Sequence, residues 1–167
     1  NVFNSFCNNY YAVYCTGTGI NLYSNEINYH DNNQLSGFIE IYFSSDINCD
    51  HKIRDNYFHN CKVNENLKGI FHYNFEKGRS SSVLVFENNI FENVNGKFAA
   101  FYIEINTDIH VTFENNSIQN NQLNPDQYLC GFNFKGSYTA QNIFRIINSK
   151  FINNTCSSPY GGGIGIF

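Results

Sequence analysis

The amino-acid sequence predicts an all-β protein that folds as a right-handed single-stranded parallel β-helix, a β-solenoid of about six coils. Three observations support this prediction: a short phrase recurs along the chain, the apolar stretches alternate with a period of two, and hairpin turns are nearly absent. We expect one β-helix domain over residues 1–167, with irregular or weakly repeating coils in residues 1–50 and clear coils in residues 51–167. Because the chain has no Met and stops inside an apolar run, we expect a fragment of a longer solenoid.

The recurring phrase is an apolar residue, then any residue, then Asn. Five copies begin at Phe6, Phe58, Phe91, Ile118 and Phe151, and a sixth, which deviates from the pattern, begins at His30. An apolar residue also lies five positions before the phrase in the last four copies, and a small residue followed by an apolar stretch comes after it. Features that return in the same order at intervals of 24 to 33 residues indicate one structural unit per repeat.

The apolar stretches have the alternation of β-strands. Residues 101–105 and 109–113 place apolar side chains at every second position, and Phe, Tyr, Ile and Val are prominent. The only Asn-Gly pair is Asn95-Gly96, which disfavours a fold built from hairpins. In a parallel solenoid each strand pairs with its equivalent one coil further on, so equivalent side chains stack about 4.8 Å apart. The inward column expected on this basis contains Phe58, Phe91, Ile118 and Phe151.

Asn is the most distinctive residue of the chain, with 30 copies. Its backbone tolerates the left-handed conformation of tight turns, and its side-chain amide both donates and accepts hydrogen bonds. We therefore expect the Asn that closes each phrase to lie at a corner of its coil, where stacked amides form a ladder along the solenoid. The predicted ladder contains Asn60, Asn93, Asn120 and Asn153, preceded by Asn8 and Asn32.

Charge and composition argue against several classes of protein. Charged residues make up 14% and aromatic residues 17% of the chain, which argues against intrinsic disorder. A net charge of −4 gives no electrostatic case for a nucleic-acid partner. No apolar run approaches the ~20 residues that span a bilayer, and no basic and then apolar leader opens the chain. The glycines at 161–163 are not followed by the Lys-Ser or Lys-Thr of a phosphate loop, and we expect no cofactor.

Two tetrapeptides carry a family resemblance. Phe-x-x-Asn occurs at residues 86–89 and 113–116, and an approximate Gly-Gly-Ala-Ile occurs within residues 161–166. Both are repeated motifs of the polymorphic outer-membrane protein repeats, which this chain resembles. More broadly, it resembles right-handed parallel β-helices of the pectin-lyase-like superfamily. The resemblance implies a surface-exposed or secreted passenger used for adhesion and antigenic display, usually without catalysis.

The repeat and the resemblance together predict a non-catalytic structural or adhesive segment of a cell-surface or secreted protein. A solenoid presents a long, regular outer face, so we expect extracellular glycans or proteins as partners. The remainder of its own longer chain is expected to cover the solenoid ends, and a membrane anchor would lie in regions outside this sequence. The alternative is a polysaccharide lyase or glycoside hydrolase fragment, since the pectin-lyase-like scaffold often carries that chemistry. A third hypothesis is a glycan-binding module without turnover.

The enzymatic alternative depends on outward carboxylates. Glycosidic bond cleavage needs one carboxyl group to protonate the leaving group and another to activate water or act as nucleophile. If the repeats stack, Glu87 and Glu114 are neighbours, with Arg54 beside them, and we expect Glu92 and Asp55 close by. The aligned outward column contains Arg54, Glu87, Glu114 and Ile147.

Further residues of chemical interest have structural explanations. Several zinc-ligand types occur close in sequence, but without the Cys-x-x-Cys spacing of a structural zinc site, and we expect no metal. These residues are Cys49, His51, His59, Cys61 and His72. The six cysteines allow 15 pairings if oxidised. Asn115 and Asn153 each begin an Asn-x-Ser/Thr acceptor for N-glycosylation.

Overall fold

The structure is a computed structural model, and it describes the backbone of about three fifths of the chain. The described ranges are residues 2–3, 11–16, 20–28, 37–43, 50–63, 71–75, 82–96, 101–105, 109–123, 132–136, 143–156 and 164–166. Side chains are described for residues 20–26, 50–61, 83–94, 109–122 and 143–155. All regular secondary structure in these ranges is β-strand, which confirms the predicted all-β class.

The strands form four sheets, which we number in the order in which one repeat visits them. Sheet I contains β3 (Asn21–Tyr23), β6 (Asp50–Arg54), β10 (Ser82–Glu87), β14 (Ile109–Glu114) and β18 (Ile143–Ile147). Sheet II contains β1 (Val2–Phe3), β4 (Glu26–Asn28), β7 (Tyr57–His59), β11 (Ile90–Glu92), β15 (Ser117–Gln119) and β19 (Lys150–Ile152). Sheet III contains β8 (Lys62–Val63), β12 (Asn95–Gly96), β16 (Gln122–Leu123) and β20 (Thr155–Cys156). Sheet IV contains β2 (Tyr11–Thr16), β5 (Gly37–Phe43), β9 (Phe71–Phe75), β13 (Phe101–Ile105), β17 (Phe132–Gly136) and β21 (Ile164–Ile166).

Every strand pair in the described residues is parallel, and each strand pairs with its equivalent in the neighbouring repeat. This pairing is the opposite of a hairpin fold, in which strands adjacent in sequence would run antiparallel. It extends into the first fifty residues, where β1 pairs with β4, and β2 pairs with β5. Repeat-to-repeat pairing therefore organises both the weakly and the clearly repetitive parts of the sequence.

The predicted inward column of sheet II is confirmed by the strand register. Phe58 pairs with Phe91, Phe91 with Ile118, and Ile118 with Phe151. The first three side chains are completely buried, and the rings of Phe58 and Phe91 stack with centroids 4.7 Å apart. Burial of each such side chain contributes roughly 2 kcal/mol, and a shift of one residue in register would expose the whole column.

Sheet I supplies a further group of core residues. Phe86 pairs with Phe113, and both are fully buried between Ile53 and Ile146 in the same column. A second inward column of this sheet contains His51, Leu84, Val111 and Phe144. In β14, buried apolar residues alternate with outward polar residues, which is the pattern on which the sequence prediction was based.

Each repeat turns sharply at two corners, and both use residues with positive φ. The first corner joins sheets I and II through Ser24, Asp55, Asn88, Asn115 and Asn148, with φ between 46° and 56°. The second corner joins sheets II and III through Asn60, Asn93, Asn120 and Asn153, with φ between 51° and 55°. Asn and Asp occupy this left-handed region more readily than other residues with a Cβ atom, so their enrichment follows from the corner geometry.

Candidate functional site

The residues that follow the first corner form a buried asparagine ladder. Asn56 Oδ1 accepts hydrogen bonds from the backbone N and Nδ2 of Asn25, at 3.0 and 2.9 Å. Asn89 Oδ1 accepts the equivalent pair from Asn56, and Asn116 Oδ1 accepts it from Asn89, all between 2.9 and 3.1 Å. Each side chain therefore satisfies the backbone and the amide of the preceding repeat, which removes the cost of burying those polar groups.

The same amides also donate hydrogen bonds to backbone carbonyls of the preceding repeat. Asn89 Nδ2 donates to Ile53 O at 2.8 Å, and Asn116 Nδ2 donates to Phe86 O at 2.9 Å. Ser149 takes the next position of this column, where its Oγ accepts from Asn116 N and donates to Phe113 O, at 3.1 and 3.2 Å. The ladder was missed in the sequence, although the second Asn of the Asn-Asn pairs at 88–89 and 115–116 was available as a signal.

The asparagines named in the sequence as the ladder lie at the second corner, and their side chains are exposed. Asn93 Nδ2 donates to Asn60 Oδ1 at 3.3 Å, and Asn153 Nδ2 donates to Asn120 Oδ1 at 3.4 Å. These distances are at the long end for hydrogen bonds, so the main role of this column is to supply the left-handed corner. Asn8 and Asn32 lie outside the described residues.

The shorter bonds of the second corner belong to the residues that follow it. Asn121 Oδ1 accepts from Val94 N at 2.7 Å, and Asn154 Oδ1 accepts from Asn121 Nδ2 at 2.9 Å. Both corners thus use two successive residues, the first for backbone conformation and the second for inward hydrogen bonding. At the second corner Val94 and Cys61 occupy the inward position in the earlier repeats, where both are buried.

The outward carboxylate column is assembled in the predicted register. Glu87 pairs with Arg54 on one side and with Glu114 on the other, and Glu114 pairs with Ile147. Arg54 Nε lies 2.8 Å from Glu87 Oε2, but its N–H is not aligned for a hydrogen bond, so the contact is an ion pair only. Both side chains are about one third exposed, and such a pair contributes at most about 1 kcal/mol.

A second outward cluster, on sheet II, was not expected from the sequence. Tyr57 Oη donates to Glu92 Oε2 at 2.6 Å, while Gln119 Nε2 and Asn120 Nδ2 donate to Glu92 Oε1 at 3.1 and 3.4 Å. The hydrogen bond from Tyr57 is the main reason that the pKa of Glu92 is lowered, and the same bond raises the pKa of Tyr57 to about 12. Glu92 is therefore a firmly ionised acceptor whose two oxygens are both engaged.

His59 extends this cluster toward the preceding repeat. Its ring stacks on that of Tyr57 with centroids 4.2 Å apart, and its Nε2 lies 2.9 Å from Glu26 Oε1. We call these five residues the Glu92 cluster: Glu26, Tyr57, His59, Glu92 and Gln119. It links neighbouring repeats laterally across the outer face of sheet II. Glu92 and Asp55 were both expected close to Glu87 and Glu114. The side-chain contacts of Glu92 instead lie on sheet II, and Asp55 accepts a hydrogen bond from Asn88 Nδ2 at 3.1 Å.

The histidines and cysteine of the zinc-type constellation have separate environments. His51 is buried in sheet I, where its Nδ1 accepts from Ile20 N at 3.1 Å, and burial lowers its pKa to about 4. Cys61 is buried at the second corner, its Sγ donates to His59 O at 3.4 Å, and burial raises its pKa. Within the described side chains, no three His, Cys, Asp or Glu groups converge on a metal position. Cys49 and the side chain of His72 lie outside that part of the chain.

Both glycosylation acceptors lie at corners. Asn115 occupies the first corner and Asn153 the second, and both side chains are exposed. Of the six cysteines, only Cys61 has a described side chain, so the predicted pairing of cysteines concerns residues outside the described side chains.

Comparison with known proteins returns no similar chain. No protein-family model, no curated protein and no solved structure matches this sequence or fold. In the portion of the chain that the structure covers, no helix has the length and apolar character needed to cross a membrane.

Proposed function

We propose that this chain is a section of a right-handed single-stranded parallel β-helix that serves as a structural and adhesive element of a cell-surface or secreted protein. The observation that carries this proposal is the parallel pairing of each strand with its equivalent one repeat away, in all four sheets. A chain that visits sheets I to IV in turn and then returns to sheet I winds into a coil. Parallel crossovers are right-handed in nearly all proteins, which supports that hand here.

The polar groups of the coil support a structural role. The two buried columns after the corners use their amides to join successive repeats, as in the hydrogen bond from Asn121 Nδ2 to Asn154 Oδ1. On the outer faces, Glu87 is engaged with Arg54, and both oxygens of Glu92 are engaged with neighbours. A general acid needs a raised pKa, whereas the pKa of Glu92 is lowered.

The adhesive role follows from the regular outer surface. Sheet II presents the stacked rings of Tyr57 and His59 together with carboxylate and amide groups in the Glu92 cluster. Extracellular glycans or proteins with extended, repetitive surfaces are the partners that suit such a face.

One observation favours a polysaccharide lyase or glycoside hydrolase as a second candidate. Glu87 and Glu114 are register neighbours on an outer face with Arg54 alongside, which supplies two carboxylates and a cation. Cleavage of acidic polysaccharides uses such groups.

A turnover and binding assay separates these candidates. The purified chain is incubated with polygalacturonate and hyaluronan, with and without Ca²⁺, and its binding to glycan-coated surfaces is titrated. We expect saturable binding and no chain cleavage. Cleavage that is lost in Glu87→Gln and Glu114→Gln, but retained in the exposed sheet I control Asp50→Asn, would establish the enzyme and overturn the adhesive proposal. A crystal structure with left-handed coils would overturn the proposed hand of the coil.

A further inference from the structure

His59 lies in a directional chain of hydrogen bonds on the outer face of sheet II. Asn93 Nδ2 donates to Asn60 Oδ1 at 3.3 Å, and Asn60 Nδ2 lies 3.0 Å from His59 Nδ1. His59 Nε2 in turn lies 2.9 Å from Glu26 Oε1. These bonds connect three successive repeats, those of β11, β7 and β4, and each of the three strands has a paired strand on both sides. The chain of bonds therefore lies within the stacked structure.

The partners of the His59 ring determine where its hydrogen lies. Asn60 Nδ2 can only donate, so His59 Nδ1 accepts and carries no hydrogen. The other ring nitrogen, Nε2, then carries the hydrogen of the neutral imidazole and donates it to Glu26 Oε1. The orientation of the Asn60 amide is itself supported by Asn93, whose Nδ2 donates to Asn60 Oδ1. With a neutral His59, every donor in this chain of bonds meets an acceptor.

The surroundings of His59 leave its Nδ1 dependent on Asn60. Among the described side chains, three titratable groups face the ring, which are Glu26 from β4, Glu92 from β11 and Tyr57 from its own strand. The two carboxylates attract a positive charge on the ring. The Tyr57 ring covers one face of the imidazole with centroids 4.2 Å apart, and only 12% of the His59 side chain is exposed. Water therefore has little access as an alternative partner of Nδ1.

A second hydrogen on His59 is incompatible with this arrangement at one bond. When Nδ1 takes a proton from solvent it becomes a donor, and it then faces Asn60 Nδ2, which is also a donor. A half-turn of the Asn60 amide presents its Oδ1 to the ring and turns its Nδ2 toward Asn93 Nδ2. The Asn93 amide must then turn as well, so that its Oδ1 accepts. The bond to Glu26 needs no change, because Nε2 donates in both charge states and gains charge assistance.

We propose that protonation of His59 reverses the side-chain amides of Asn60 and Asn93, so that this part of the outer face switches between two patterns of hydrogen-bond donors and acceptors. With a neutral His59, the bonds run from Asn93 through Asn60 to the ring. With a charged His59, they run from the ring through Asn60 to Asn93. Histidine changes its charge between about pH 5 and 8, so the switch responds to mild acidification. It does not depend on the proposed adhesive role.

Nuclear magnetic resonance of the intact, nitrogen-15-labelled chain tests the switch between pH 8 and 5. At pH 8 we expect a scalar coupling across the hydrogen bond from Asn60 Nδ2 to His59 Nδ1, and a hydrogen on His59 Nε2. At pH 5 we expect this coupling to be lost, and the nuclear Overhauser contacts of the Asn60 amide hydrogens to move from the ring to Asn93. The internal control is Asn153, whose Nδ2 donates to Asn120 Oδ1 at the same corner without a histidine. Its amide is expected to keep its orientation.

Two variants test the order of the relay. His59→Phe keeps a ring to stack on Tyr57 and removes both ring nitrogens, so it is expected to abolish the pH dependence of the Asn60 and Asn93 amides. The matched control is His110→Phe, at an exposed histidine on β14 of sheet I, which should retain the wild-type response. Asn60→Gly keeps the left-handed corner, where φ is 53°, and removes the amide. In that variant His59 should still titrate, whereas the response of Asn93 should be lost.

Several results would overturn the switch. At pH 8, a hydrogen on His59 Nδ1 instead of Nε2 would contradict the direction of the bonds. At pH 5, an Asn60 amide that keeps its orientation beside a doubly protonated ring would show that no reversal occurs. A response of Asn93 that persists in Asn60→Gly would contradict the relay, and this variant carries the test alone if His59→Phe does not fold. Loss of β-sheet circular dichroism at pH 5 would also overturn the switch, because a local reversal of amides leaves the strands in place.

Discussion

The side-chain oxygen of Asn89 accepts two hydrogen bonds from Asn56, one from its backbone N at 3.1 Å and one from its Nδ2 at 2.9 Å. Asn89 is completely buried, and its own Nδ2 donates to Ile53 O at 2.8 Å. One amide therefore closes a corner of the preceding repeat and satisfies a backbone carbonyl there. Because a buried polar group without a partner is costly, stability is expected to depend on this residue more than on the exposed asparagines.

Substitution of Asn89 tests the buried ladder. Asn89→Ala removes the side-chain partners of Asn56 N and Ile53 O, and we expect the free energy of unfolding to fall by roughly 2–4 kcal/mol. Asn89→Ser should cost less, because Ser149 fills the same column with a hydroxyl that both accepts and donates. Urea denaturation measures both. The control is Asn88→Gly, at an exposed corner position with φ of 54°, which should change stability by less than about 0.5 kcal/mol. An effect of Asn88→Gly as large as that of Asn89→Ala would contradict the ladder's role.

The converse substitution, Ser149→Asn, extends the ladder. Its amide is expected to accept from both the backbone N and Nδ2 of Asn116, whereas the hydroxyl accepts from the backbone N at 3.1 Å. We expect the free energy of unfolding to rise by about 1 kcal/mol, the contribution of one additional hydrogen bond. The midpoint of urea unfolding is the readout, and a decrease in that midpoint would show that the position does not accommodate an amide.

The sequence was sufficient to predict the strand register but not the inward or outward direction of each Asn. Phe58 and Phe91 could be aligned because the strand period assigns every second residue to the core. In an Asn-Asn pair such as Asn88-Asn89, both residues suit a turn, and only the backbone path decides which one adopts positive φ and which one faces inward. The residue type at the inward position does not reveal that direction either. After the second corner, this position holds Cys61 and Val94 in two repeats and Asn121 in the next.

The Glu92 cluster could not be predicted for a different reason. Tyr57 and Glu92 are 35 residues apart and belong to different register positions, because Tyr57 pairs with Ile90 and Glu92 pairs with His59. Their contact runs diagonally between two neighbouring strands, and a repeat length of 24 to 33 residues does not determine which diagonal contacts form. Side-chain rotamers and the local twist of the sheet decide whether such a pair meets.

His51 is expected to make the fold sensitive to acid. Burial is the main cause that lowers its pKa from 6.5 to about 4, and the neighbouring Asp50 carboxylate opposes this in part. Between these two pKa values the unfolded chain binds a proton that the folded chain does not, so the free energy of unfolding falls as the pH decreases from about 6.5 to 4. At 1.36 kcal/mol per pKa unit, the loss approaches about 3 kcal/mol.

Urea unfolding at pH 7, 6, 5 and 4.5 measures this dependence. In His51→Leu the contribution of the imidazole is removed, and a leucine already occupies the register-equivalent position, Leu84. We expect the slope of stability against pH to become clearly shallower in that variant. His110→Gln, which replaces an exposed histidine of the same sheet, is the control and should retain the wild-type slope. A wild-type slope in His51→Leu would rule out His51 as the acid-sensitive group.

The stacked phenylalanines are expected to dominate the packing energy of sheet II. Phe91 is fully buried, and its ring lies nearly parallel to that of Phe58, at an interplanar angle of 4°. Phe91→Ala should lower the free energy of unfolding by about 3–5 kcal/mol, the usual cost of replacing a buried phenylalanine with alanine. Ile90→Ala is a matched control one residue away, because Ile90 faces outward and is 40% exposed. Similar losses in the two variants, measured by thermal or urea unfolding, would contradict the inward column.

The exposed corners are expected to accept glycans without loss of fold. Asn115 has φ of 52° and an exposed side chain, and in the described residues its amide makes no hydrogen bond that a glycan would break. Asn153 is also exposed, and its Nδ2 contact with Asn120 Oδ1 is a long one at 3.4 Å. Expression through a eukaryotic secretory pathway should therefore add about two N-glycans, removable by an endoglycosidase.

Asn115→Gln and Asn153→Gln should each remove one mass step in electrophoresis. Asn116→Gln alters the inward neighbour while keeping the Asn115 acceptor triplet, so it should retain the glycan at Asn115 and lose stability instead. Two results would contradict the assignment of these corners as acceptor sites. One is a glycosylated chain that is unfolded, and the other is an unchanged number of glycan mass steps in both single variants.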